Sequence, residues 1–263
     1  MKAFPLLLLT GLLCTCDPAP DSPTEVPAVI DLDPNPPADG FDLAGSDPEA
    51  IAIADSVVKY HGGRRAYDGA RYFSWNFFGA RDLVWDKEEE RVRIEVPQDE
   101  MVYLLDYSDR ERPTGAVQKQ GEELTDPDSL ELYLQNARSM WINDSYWLVQ
   151  PFKLKDSGVT LRYVGSEDDP QQDRPSEVID LTFRDVGDTP GNRYRLFVDR
   201  ENYRINTWQF FRNADDPEPA METPWRGYRE YDGVLLSSDR GGRFQLNDIA
   251  VSDEMDDAVF TEF

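Results

Sequence analysis

Cysteine is almost missing from this chain of 263 residues. The two that occur, Cys14 and Cys16, both stand near its start. No disulfide can therefore close a loop in the remainder, and no thiolate zinc site can form there. Histidine is scarcer still, with His61 alone, which excludes H-E-x-x-H helices and every metal motif that takes two imidazoles. A G-x-S-x-G elbow, a P-loop and a Rossmann glycine fingerprint are also missing. Positive charge is short: 27 Lys+Arg face 52 Asp+Glu, a formal net charge of −25. Such a field repels a phosphate backbone, so broad nucleic-acid binding is excluded. It equally disfavours docking on anionic lipid heads through a basic patch.

What is present begins with an address. Lys2 and an apolar run from Ala3 to Leu13 have the form of a secretory signal. The run is too short to span a bilayer, which takes about 20 apolar residues. Leu13 and Cys16 follow with the spacing of a lipobox, and the segment resembles the signal of bacterial lipoproteins. That resemblance implies a signal peptide over 1–15 and acylation of Cys16, hence a membrane anchor through acyl chains. Residues 16–46 are rich in Pro and Asp and poor in aromatics, and read as a disordered tether. Asp31, Asp33 and Asn35 match the opening of a calcium loop. Pro36 stands where such a loop needs Gly, and no Glu holds the twelfth position, so an acidic solvated linker is expected and no metal.

The rest, 47–263, is read as one domain. Ser46 and Glu49 have capping-box spacing, Pro48 suits a first turn, and Ile51, Val57, Val58 and Tyr60 are expected to line the stripe of a helix that Gly62 and Gly63 end. His61 is expected to satisfy carbonyls at that helix end. The period then becomes two: Phe73, Trp75 and Phe77 share a face, as do Val92, Ile94 and Val96, and later Val159, Leu161 and Tyr163. Some ten or eleven antiparallel strands are predicted, without βαβ alternation. One helix from Asp126 to Trp141 interrupts them, and a separate short piece is expected over 144–149. Asn143, Asp144 and Ser145, although a glycosylation triplet, read as a helix-boundary cap. Paired acids such as Asp168 and Asp169 read as solvated turns.

The segment 141–158 is the most distinctive. Asn143, Asp144, Tyr146, Trp147, Leu148, Pro151, Lys153, Leu154, Asp156, Gly158 and Val159 match an N-D-x-Y-W-L-x-x-P-x-K-L-x-D-x-G-V pattern. It resembles that of a bacterial lipoprotein family, its own activity unsettled, related to the LolA/LolB/LppX-like superfamily. The resemblance implies an α+β fold: a strongly curved antiparallel sheet, an open or half β-barrel, with helices packed on its concave side. It further implies a cavity for a lipid or acylated protein. Trp75, Phe77, Trp85, Tyr146, Trp147, Phe152 and Trp208 could line such a cavity or simply fill the core. Lys153, Lys155 and Asp156 could meet a headgroup or an envelope partner, or pair with one another. The expectation is a monomeric, lipid-anchored, non-catalytic envelope protein without cofactor. The rivals are a structural or interaction module with a filled core, and a hydrolase with an unrecognised carboxylate site. The acid excess, with 33 Asp and only 6 Lys, points to a halophilic source.

Overall fold

The first regular element, α1 (Pro48–Tyr60), buries Ala50, Ile53, Ala54, Val57 and Val58. Their i, i+3, i+4, i+7, i+8 spacing is one helical stripe. Its edges differ from the expected ones. Ile51 is half-buried, and Tyr60 is exposed with its ring 4.9 Å from that of Tyr203. Gly62 takes a positive φ and ends the helix, and a Cβ there would sit 2.0 Å from Gly233 O.

The computed structural model describes Met1 and residues 33–184, 191–242 and 244–263. The signal over 1–15, Cys14, Cys16 and the tether to residue 32 lie outside the described residues, as do residues 185–190 and 243. The described remainder, Asp33–Phe263, is one unit. It starts earlier than residue 47, because the segment 33–46 packs against the domain. Asp42 N donates to Val159 O at 3.0 Å, and Asp47 N to Leu161 O at 2.9 Å. Phe41 is buried.

Ser46 is consequently not the helix cap. Its hydroxyl donates to Asp42 O and accepts from Leu161 N, while Asp47 holds the N-cap position and accepts from Tyr163 N. A capping box would satisfy the helix alone. Here those polar atoms satisfy N–H groups on a sheet edge, which otherwise stand unpaired.

After a short helix, α2 (Arg64–Gly69), the chain runs through β1 (Tyr72–Phe77), β2 (Arg81–Asp86), β3 (Arg91–Val96), β4 (Met101–Asp106), β5 (Thr114–Lys119) and β6 (Glu122–Glu123). A long helix, α3 (Pro127–Val149), separates these from β7 (Val159–Asp168), β8 (Pro175–Phe183), β9 (Arg193–Asp199), β10 (Ile205–Phe211) and β11 (Met221–Pro224). The short β12 (Arg229–Tyr231) and β13 (Val234–Leu236), then β14 (Leu246–Ser252) and α4 (Ala258–Thr261), complete it. The fold is α+β and antiparallel throughout. One sheet runs β14-β1-β2-β3-β4-β5-β6, a second β11-β10-β9-β8-β7, and β12–β13 form a hairpin. The strands number more than the ten or eleven expected, in part because β6 and β11 have only two and four residues. So short a stretch carries no visible alternation.

Register sets the core. Trp75 faces Leu83, Leu83 faces Ile94, Ile94 faces Tyr103 and Tyr103 faces Val117, one buried row across the first sheet. In the second sheet Ile179, Leu196, Trp208 and Thr223 make the matching row. The α3 helix packs on β3, β4 and β5, and its last turn meets the second sheet through Trp147 and Trp208. At about 25 cal/mol per Å² of apolar area, interdigitated rows of this kind are the main stabilising term.

Candidate functional site

Asp126 caps α3 by accepting from Ser129 N at 2.9 Å, and Pro127 opens it. The helix then runs unbroken to Val149, so the separate piece expected over 144–149 is its own last turns. Asp144 and Ser145 are not boundary caps. Asp144 is fully buried and accepts from Arg81 Nε at 2.6 Å and Nη2 at 2.8 Å. With its polar atoms satisfied sideways, Asp144 does not compete for the helix backbone.

Those last turns carry Tyr146 and Trp147 into an aromatic interior, and Gln150 follows directly after them. The Trp147 ring lies 4.3 Å from Trp208 and 5.3 Å from Phe78, which stacks on Phe77 at 4.0 Å. Tyr146 lies 5.6 Å from Tyr194 and 6.2 Å from Trp208. Trp208 reaches Trp225 at 5.8 Å, and the Arg240 guanidinium lies over Trp225 at 3.6 Å. Hence Phe77, Tyr146, Trp147 and Trp208 belong to one ring network. Trp85 belongs to another, donating from Nε1 to Tyr107 Oη at 2.6 Å beside Trp141. Phe152 stacks on Tyr67 at 4.3 Å and joins that second network through Phe73, which lies 6.0 Å from Tyr67 and 5.4 Å from Trp85, while Trp75 lies in the buried row of the first sheet. The seven aromatics singled out from the sequence are thus buried or half-buried in one hydrophobic core, within which the ring contacts of all but Trp75 fall into two networks.

Polar atoms interrupt the first network. Trp208 Nε1, Trp225 Nε1, Tyr146 Oη, both amide atoms of Gln150 and Arg240 Nε are buried without a hydrogen-bond partner among the described residues. Tyr146 and Gln150 approach one another, yet neither forms a well-aligned bond, and burial drives the phenol's pKa far up. Arg240 donates from Nη2 to Trp147 O at 2.6 Å and from Nη1 to Ser237 Oγ at 2.8 Å. Burial holds its pKa down to about 9. Sequence reading missed Gln150, Trp225 and Arg240. An arginine between Asp239 and Gly241 has the composition of an exposed turn, and only tertiary packing buries it.

Lys153 pairs with Asp156 at 3.0 Å, and the buried Lys155 pairs with Asp55 at 2.5 Å. A pocket of about 210 Å³ lies beside them, lined by Pro36, Arg64, Asp68, Phe152, Lys155 and Asp156. Close by, the Lys87 ammonium sits 4.1 Å over the Tyr67 ring and donates to Tyr67 O; burial lowers its pKa to about 8. His61 does end α1, with Nδ1 2.7 Å from Val57 O. Asp169 is buried rather than solvated. Its Oδ1 accepts from the backbone of Gln171 and Gln172 and from Thr207, which fixes the turn after β7.

Among the described residues no group of three or more His, Cys, Asp or Glu is placed to hold a metal. No described helix is long and apolar enough to cross a membrane.

No protein-family model matches the sequence, and no curated protein matches it. Among solved structures, the chain is similar to a DUF1329 family protein from Desulfovibrio piger, with 14% identity and a TM-score of 0.47, over 82% of this chain and 98% of that one. It is similar to a domain designated an outer membrane lipoprotein-sorting protein, from Vibrio parahaemolyticus, with 9% identity and a TM-score of 0.41, over 81% of this chain and 96% of that one. It is also similar to MucB, with 16% identity and a TM-score of 0.26, over 76% of this chain and 66% of that one.

Proposed function

We propose that this chain is a non-catalytic, lipid-anchored protein of the bacterial cell envelope, which holds a lipid or other apolar ligand between the last turns of α3 and the aromatic face of the second sheet. The supporting observation is the set of unpartnered polar atoms on Tyr146, Gln150, Trp208, Trp225 and Arg240 inside an otherwise aromatic interior. A core that serves stability alone pairs its buried polar groups or dispenses with them, because each unpaired one costs about 1–3 kcal/mol. A binding interior is mostly apolar with a few polar atoms kept for the ligand. The anchor in this reading is acylated Cys16, and the anchored domain acts as a monomer.

A second reading has its own support. Trp147 and Trp208 lie within 4.3 Å, as a filled core would have them, and a filled core would make the chain a structural module of the envelope. Native mass spectrometry of the full chain purified from its own membranes, followed by lipid extraction, separates the two. The carrier reading expects an acyl-sized mass that leaves on extraction, in addition to the covalent anchor. Protein carrying the anchor alone in every charge state would leave the structural module standing.

A further inference from the structure

Among the described residues Arg240 is the one buried arginine, and it makes no ion pair with any of them. The contrast within the same molecule is sharp. The half-buried Arg71, Arg81, Arg91, Arg93, Arg193 and Arg195 each meet a carboxylate. In a chain with 52 acids to 27 bases, partners are not scarce. The adjacent Asp239 attracts it only from beyond ion-pair distance, its carboxylate accepting from Gly241 N at 2.8 Å and Gln245 Nε2 at 2.6 Å. A buried charge without a carboxylate in direct contact is costly, and a group of opposite charge set against it offsets that cost.

The unpartnered atoms of the same ring network say what that would be. Arg240 Nε, Trp208 Nε1 and Trp225 Nε1 can only donate. Gln150 Nε2 donates as well, while acceptors are limited to Gln150 Oε1 and the Tyr146 hydroxyl. Donors in excess suit a group made of acceptors, and a guanidinium suits one that is charged. The rings of Tyr146, Trp147 and Tyr194 supply an apolar wall beside it.

We propose that this interior takes an amphiphile whose head is an anion, a carboxylate or a phosphate, and that Arg240 reads the charge while the ring network holds the chain. The proposal rests on the ligand-binding reading above and adds the headgroup. Calorimetric titration of the full-chain protein with laurate, dodecyl phosphate, dodecanol and inorganic phosphate, all below micellar concentrations, tests it. Laurate or dodecyl phosphate is expected to bind at least about tenfold tighter than dodecanol, since charge-assisted hydrogen bonds are stronger than neutral ones. Whichever of the two binds tighter assigns the head as carboxylate or phosphate. Inorganic phosphate alone is expected not to bind.

In Arg240→Gln the advantage of the anion should fall below about threefold, with dodecanol affinity unchanged. If Arg240→Gln does not fold, Trp225→Phe carries the test. It keeps a ring beneath the guanidinium and removes one donor, so it should weaken the anionic ligand and spare dodecanol. Dodecanol binding as tightly as laurate and dodecyl phosphate would overturn the headgroup while leaving an apolar site intact. So would an anion preference that survives both variants. Inorganic phosphate binding as tightly as dodecyl phosphate would overturn the amphiphile. Failure of all three dodecyl compounds to bind would count against the ligand-binding reading itself.

Discussion

Arg81 on β2 holds Asp144 on α3 with two parallel hydrogen bonds, Nε to Oδ2 at 2.6 Å and Nη2 to Oδ1 at 2.8 Å. Asp144 has no exposed surface, whereas the arginine keeps 22% of its side chain exposed. Burial pushes the carboxyl's pKa up, and Arg81 only partly offsets that. Such a pair fixes where α3 crosses the first sheet rather than adding much net stability. Arg81→Ala should therefore cost about 3–5 kcal/mol in urea unfolding, because it strands a buried charge. The double variant Arg81→Met/Asp144→Leu should recover most of that loss. A double variant as unstable as Arg81→Ala would mean that the charge pair itself, not relief from a stranded carboxylate, sustains the crossing.

The same pair shows where sequence reading stops. Asn143, Asp144 and Ser145 have the composition of a boundary, and nothing local says that an arginine 63 residues earlier converts Asp144 into a helix-interior residue. Alternation, by contrast, is local. The faces of Phe73, Trp75 and Phe77 and of Val92 and Ile94 follow from it directly, and both lie inward. The aromatics proposed for the site were legible as buried, but not their division between two ring networks, because which strands become neighbours is a long-range property. Arg240 was the least legible, since its burial depends on Trp147 and Trp225 converging on it from other parts of the chain.

The early boundary of the domain has a measurable consequence. Ser46 Oγ accepts from Leu161 N at 2.9 Å on the β7 edge, a buried contact. Ser46→Ala leaves that N–H without a partner and should cost about 1–2 kcal/mol. Hydrogen exchange should locate the loss, with the Leu161 amide exchanging faster while amides in β3 keep their protection relative to the global stability. Unchanged exchange at Leu161 would show that 33–46 does not cover the edge in solution.

Acid should act through His61 first. The imidazole is fully buried among Phe152 and Tyr228, with Nδ1–H donating to Val57 O and Nε2 unpartnered. Burial lowers its pKa from 6.5 to about 4. The folded state thus favours the neutral ring, and the unfolded chain takes up a proton first. This stability is present above pH 6.5 and is lost as pH falls toward about 4. Between pH 7 and pH 5 the loss should be about 2 kcal/mol. His61→Gln, without a titrating group, should lower stability at pH 7 and flatten its pH dependence over that window. An equally steep dependence in the variant would place the acid sensitivity elsewhere.

Salt should matter more than in a balanced protein. Asp215, Glu218, Glu230, Asp248, Asp253 and Glu254 are exposed and carry no ion pair with the described residues. They contribute repulsion without compensation. Paired acids such as Asp180, held by Arg193 and Arg195, respond to salt in the opposite sense, because screening weakens attraction too. The balance is decided by number, since 52 acids face 27 bases. At 1 M salt the Debye length is about 3 Å, short enough to screen exposed like charges while leaving buried pairs largely intact. Melting temperature should therefore rise by about 5 °C between 0.1 M and 2 M sodium chloride, the shift that about 2 kcal/mol produces in a domain of this size. An uncharged osmolyte such as sucrose, matched in osmolality, separates screening from preferential exclusion, because it leaves the charges unscreened. A melting point that stays level in salt, or rises equally in sucrose, would remove surface repulsion as the reason for so acidic a composition.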